Sequence, residues 1–180
     1  PRFGAPFRGA FGPAVARRED DSCMSDVRFY RLTETRLERA LAMMLAMAAE
    51  RGWRSLVRAP TPALIADLDA RLWQGADTPF LPHGLATEPH AARQPVLLTT
   101  DPDGNPNAAD ALFLIDSMGV QPKDLSSFTR VSVLFDGHDD AALATARSQW
   151  RTVSAAGLVA AFWAQEPGGR WVMKARSGQG

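Results

Sequence analysis

The feature that most constrains this chain is a regular exchange between two hydrophobic periods. Short apolar runs suited to strands alternate with longer stretches whose apolar residues recur at helical spacing. Residues 27–32 read as a strand. After Thr33, the residues Leu37, Leu41, Met44, Leu45 and Ala48 repeat every three or four positions until Gly52. Residues 55–59 form a second strand. Thr61 then offers an N-cap with Pro62 at the first helical position, and Leu64, Ile65, Leu68 and Leu72 share one face. Strands follow at 95–100, 111–115 and 131–135, with dense turn chemistry at 101–107. A helix over 139–156 stops at Gly157, and 159–165 and 170–174 close as a hairpin through Pro167-Gly168-Gly169. Such an alternation packs as an α/β domain with mainly parallel core strands and right-handed crossovers.

The first 23 residues stand outside this pattern. Pro1, Gly4, Pro6, Gly9, Gly12 and Pro13 interrupt them, and Arg17-Arg18-Glu19-Asp20-Asp21 closes them. Too little apolar surface is on offer there to offset chain entropy, so 1–23 is expected to be a disordered or non-native extension. The domain is expected to run from 24 to 176, with a flexible end at 177–180.

Charge and cysteine usage exclude several classes. Lys+Arg and Asp+Glu balance at 20 each, so no overall basic field draws in a phosphate backbone, although a local patch remains open. The single Cys23 gives neither a disulfide framework nor a thiolate zinc site. No apolar run reaches membrane-spanning length, and the arginine-bearing start lacks a secretory core. A cytoplasmic protein with no cofactor or metal is the expectation.

Motifs of small-molecule chemistry are missing where an α/β fold would need them. After the first strand the chain reads Arg31-Leu32-Thr33-Glu34-Thr35, without the glycines that expose backbone N–H groups to phosphate. Asp101-x-Asp103-x-Asn105 begins like a calcium loop, but Pro106 and Leu112 stand where glycine and glutamate are required. His83, His90 and His138 lack helical ligand spacing. Glu88 and His90 lie in a loop with nothing to hold catalytic geometry. A small enzyme or nucleotide-binding domain using the crevice at the strand carboxyl ends stays open as the alternative.

The helix over 139–156 carries a more informative pattern. Ala142, Leu143, Ala146, Trp150 and Val153 form one apolar arc, with Ser154, Arg147 and Arg151 beside it. Trp150 sits at the seam. Two readings fit: a solvated basic face next to a core tryptophan, or a pocket where arginines hold carboxylates and an aromatic wall takes an apolar side chain. Upstream, Trp73 is expected to pack inside, and Phe80, in the loop opened by Thr78-Pro79, to face such a pocket.

Together these pieces resemble the chi subunit family of bacterial DNA polymerase III. They are Phe29-Tyr30, Ala48-Ala49-Glu50-Arg51, Leu72-Trp73 with Phe80-x-Pro82-His83-x-Leu85-Ala86, and Ala146-Arg147-x-x-Trp150-Arg151 leading to Ala156-Gly157. Order and spacing correspond from Met24 to about Trp163. The resemblance implies a single-domain, Rossmann-like three-layer sandwich without nucleotide chemistry, non-catalytic in itself. It implies docking of the acidic C-terminal tail of single-stranded DNA-binding protein, which ends in aspartates followed by Pro-Phe. It also implies a link to the clamp loader, in some bacteria through a psi subunit, with DNA contacted mostly indirectly. The family's tail pocket corresponds to Arg147, Trp150 and Arg151, with Phe80 and Phe135 as apolar walls. Ser154 stands where a further basic residue is found in relatives. The Gly-Gly hairpin and Lys174-Ala175-Arg176 extend beyond the shortest relatives.

Overall fold

A computed structural model describes residues 26–75, 80–116, 118–121, 125 and 127–177. The expected extension at 1–23 lies outside these residues, as do 178–180. Along the chain come β1 (Asp26–Leu32), α1 (Leu37–Glu50), β2 (Ser55–Arg58), α2 (Pro62–Gln74), β3 (His83–Leu85), β4 (Val96–Thr99) and β5 (Ala111–Ile115). Then follow β6 (Arg130–Asp136), α3 (Asp140–Ala155), β7 (Ala160–Gln165) and β8 (Trp171–Arg176). The strands form one 8-stranded sheet in the order β3-β4-β2-β5-β6-β1-β7-β8. Each pairing is parallel except β7 with β8, so the mainly parallel α/β sheet with a closing hairpin holds.

Strand order decides which face each helix covers. From β1 the chain crosses to β2 in one direction, and from β6 it crosses over β1 to β7 in the other. Right-handed crossovers in opposite directions put their helices on opposite faces. Accordingly, Leu41 and Leu45 of α1 and Ile65 and Leu68 of α2 pack with Tyr30, Val57, Leu98, Phe113 and Leu134. Ala146 and Val153 of α3 pack on the other face with Val27, Phe29, Leu112, Val133, Phe135 and Ala160. With both faces covered, β2, β4 and β5 are buried at every position, which is why they read as unbroken apolar runs.

Local signals set the helix ends. Thr61 Oγ1 accepts a hydrogen bond from the Leu64 N–H at 3.2 Å, with Pro62 inside the first turn and Gly75 left-handed (φ 44°) at the C-cap. The Asp139 carboxylate caps α3 by accepting from the Ala141 N–H at 2.8 Å.

Two contacts tie down the carboxyl ends of the central strands. The Gly137 N–H donates to the Leu32 carbonyl at 2.6 Å, and a Cβ on Gly137 would stand 2.7 Å from that oxygen, so no larger residue fits. In the turn after β1, the N–H groups of Thr33, Glu34 and Thr35 converge on Gln165 Oε1 at 3.1, 3.0 and 3.1 Å. Gln165 Nε2 in turn donates to Thr35 Oγ1 at 2.8 Å.

β3 differs from expectation, since the stretch around Pro82-His83 was expected to be loop. His83, Gly84 and Leu85 instead add a short parallel edge strand to β4. His83 is buried and its Nδ1–H donates to the Leu81 carbonyl at 2.7 Å, which fixes the entry into the strand.

Candidate functional site

α3 lies on its face of the sheet like a lever pinned along one side. Gln149 Nε2 donates to the Met118 carbonyl at 3.0 Å, turning that side of the helix toward the segment over β5. A helix turns about 100° per residue, so Trp150, Ser154 and Arg147 lie on the other side, where Trp150 meets β1 and β7. There Trp150 is half-buried, its ring 5.7 Å from Phe29 and 6.4 Å from Phe162 between centroids. Phe162, itself half-buried on β7, lies 6.1 Å from Phe135. An aromatic floor thus runs from the strands up to the seam of the helix.

Arg147 and Arg151 flank this floor, four residues apart and exposed. Among the described residues neither makes an ion pair or a side-chain hydrogen bond. Like charges at this spacing destabilise a helix by about 0.2–0.5 kcal/mol, a penalty an anion between them would remove. Ser154 is half-buried, and its Oγ has no partner. The arrangement suits a ligand carrying carboxylates next to an apolar ring. It holds no nucleophile beside a base.

Two of the expected walls stand elsewhere. Phe135 is only 1 % exposed and supports Phe162 from beneath, so it reaches a ligand only through that ring. Phe80 is 73 % exposed and lies at the far edge of the sheet, on the β3 side, 5.8 Å from Trp73. Trp73 was expected inside but is 55 % exposed, its ring 4.4 Å from that of His83. Because α2 and α3 cover opposite faces, Phe80 and Trp150 belong to separate surfaces. The residue missed beforehand is Phe162. Its place in the alternation of β7, on the same face as Ala160, could have marked it.

The crevice at the strand carboxyl ends, where crossovers diverge between β1 and β6, is the usual nucleotide site of such sheets. A cleft of about 640 Å³ does open there, lined by Leu32, Glu34, Asp116, Asp136, His138 and Asp139 among others. Burial, followed by the charges of Asp136 and Asp139, pushes the Asp116 carboxyl above the ordinary aspartate range. A phosphate would meet these carboxylates, and the nearest convergent N–H groups are already taken by Gln165. Among the described residues no group of three or more His, Cys, Asp or Glu could hold a metal ion.

A comparison with family models matches residues 24–161, well over half of the chain, to the DNA polymerase III chi subunit, HolC. The chain belongs to the chi subunit family. That makes it an accessory subunit of the replicative polymerase, at work in DNA replication. No curated protein matches the chain. The family match takes in β1 through α3 and the start of β7, so Arg147, Trp150 and Arg151 lie inside it, whereas Phe162 and β8 lie beyond it. No described helix is long and apolar enough to cross a membrane.

Proposed function

We propose that this chi subunit is a non-catalytic, cytoplasmic adaptor that docks the acidic C-terminal tail of single-stranded DNA-binding protein on α3 and joins it to the clamp loader. The observation that carries this reading is the pair of unpartnered arginines, Arg147 and Arg151, astride the half-buried Trp150 above Phe162. Guanidiniums take the aspartates and the terminal carboxylate, and the terminal Phe lodges against Trp150 and Phe162.

An adaptor needs a second handle. Trp73 and Phe80, exposed and in ring contact at the opposite edge, supply an apolar one. Neighbouring Arg71 is neutralised by Asp67 at 2.8 Å and Glu38 at 3.4 Å, so this surface favours an apolar partner over an acidic peptide. We assign it to the clamp-loader side, through a psi subunit where one exists.

The test is titration of the full chain with an acidic peptide ending in Pro-Phe. Binding should weaken with Arg147→Ala, with Arg151→Ala, and on deletion of the terminal Phe. A wild-type chain that ignores the peptide, or arginine variants that bind it equally well, would overturn the docking role.

A further inference from the structure

Arginines also gather at the amino ends of the strands, on the face covered by α1, away from both surfaces above. Alternation along β1 and β6 puts Arg28 and Arg130 on that face, in line with Tyr30 and Leu134. The Arg130 guanidinium lies 5.1 Å from the Trp53 ring centroid and that of Arg51 5.9 Å, so the turn after α1 collects two cations on one indole. Register then extends the group: Arg28 stands opposite Ala161 on β7, and Ala161 opposite Arg176 on β8. Arg176 therefore shares the row of Arg28 at two strand spacings, roughly 10 Å.

Compensation for these charges is incomplete. Asp26 pairs with Arg28 at 2.7 Å. Arg51 donates to the Met47 carbonyl at 2.9 Å, but neither it nor Arg130 has a carboxylate partner among the described residues. Arg130 Nε is buried with no hydrogen-bond partner at all. Burial, and then the charge of Arg28, lower the Arg130 pKa from its ordinary value, with Asp26 and Tyr30 opposing and Arg51 adding last, yet a guanidinium keeps its proton at neutral pH. Their contacts with Trp53 and Asp26 offset only part of the cost of crowding these partly desolvated cations. An anion beside them would relieve the repulsion.

We propose that Arg28, Arg51, Arg130 and Arg176, grouped about Trp53, form a phosphodiester-binding site for single-stranded nucleic acid. Forked guanidiniums match phosphate oxygens two at a time, and aromatic-backed arginines are the usual equipment of single-strand grooves. Arg28 and Arg176 share one row and Arg130 is offset from it by two residues, opposite Asp26, a spread wide enough to meet more than one phosphate. Zero formal net charge does not oppose this, because these four cations lie together at the amino ends of the strands while Asp116, Asp136 and Asp139 lie at the carboxyl ends. The site draws on membership of a replicase family but not on the peptide-docking role.

The test is anisotropy of a labelled oligothymidylate titrated with the full chain at low salt. Arg130→Gln and Arg51→Gln should each weaken binding about five- to tenfold and flatten its salt dependence by about one unit of log–log slope. Arg147→Ala should leave it unchanged, which separates this site from α3. Arg51 is exposed, so its variant keeps the fold and decides the matter should Arg130→Gln unfold. The proposal is overturned by no binding to the wild-type chain, by equal binding to the Arg51→Gln and wild-type chains, or by inorganic phosphate competing as well per phosphate as the oligonucleotide. Displacement by an acidic Pro-Phe peptide would likewise overturn it, returning these arginines to peptide docking.

Discussion

Trp150 and Trp73 are both helical tryptophans with a phenylalanine beside them, yet they are built for different contacts. Trp150 is wedged between Phe29 and Phe162, with only its outer edge open and two free guanidiniums alongside. Trp73 stands more than half exposed against a still more open Phe80, next to an arginine already paired twice. The first has the rigidity and charge to select a short acidic ligand. The second offers area without charge, as a broader apolar interface does. Burial, rather than residue type, separates them.

The largest effect should come from exchanging the two tryptophans' fates. Trp150→Ala is expected to cost about 3 kcal/mol of stability in urea denaturation, because it empties a site among Phe29 and Phe162, and to abolish peptide binding. Trp73→Ala should stay within about 1 kcal/mol of wild type, since most of its ring is already in water. Equal losses would mean that the two rings are not differently seated.

Next in size, Arg147→Ala or Arg151→Ala should each weaken the acidic peptide about tenfold, or about 1.4 kcal/mol, with the urea midpoint unmoved. Raising salt should weaken the wild-type complex and blunt the difference. Phe80→Ala sharpens the contrast from the other side. Peptide affinity should change less than about twofold, while association with the clamp-loader partner falls, as read by co-purification. If Phe80→Ala instead matched Arg147→Ala in the peptide titration, the two surfaces would act as one.

The smallest effect concerns a group outside both surfaces. The Asp116 carboxyl is raised in the folded protein by burial and by Asp136 and Asp139, so the folded state holds that proton more tightly than the unfolded chain. Its contribution to stability is therefore greatest at acid pH and declines as pH rises from the ordinary aspartate range through the raised value. Asp116→Asn removes this slope and should raise the melting temperature near neutrality, with the gain fading on acidification. Asn also tolerates the left-handed backbone at this position, where φ is 53°. A gain that grew on acidification would show the carboxylate to be favourably held.

Much of the fold was legible because each element carried its own signal. The Thr61-Pro62 start, the Gly52 and Gly157 stops and the unbroken apolar runs of β2, β4 and β5 all led to elements where expected. β3 escaped because three residues after a proline, one of them glycine, give no period to detect. The α3 surface was legible as a wheel: Arg147, Trp150 and Arg151 share a sector whatever the tertiary fold. Phe80 and Trp73 were misjudged for a reason a helical wheel cannot supply. Which face a helix covers depends on the direction of its crossover, and direction depends on strand order. Phe135 differs for a simpler reason, since it is covered by Phe162 and is only 1 % exposed.

Gln165 gives the fold its character. In related architectures the turn after the first strand is where a cofactor's phosphate would sit, and its amide hydrogens would be the protein's chief chemical asset. Here one carboxamide oxygen, reaching back from the seventh strand, has taken that berth for good. On the proposed adaptor role, that closed turn makes the sheet a rigid spacer, which would hold two handles at a fixed distance and leave the chemistry to whatever they grip.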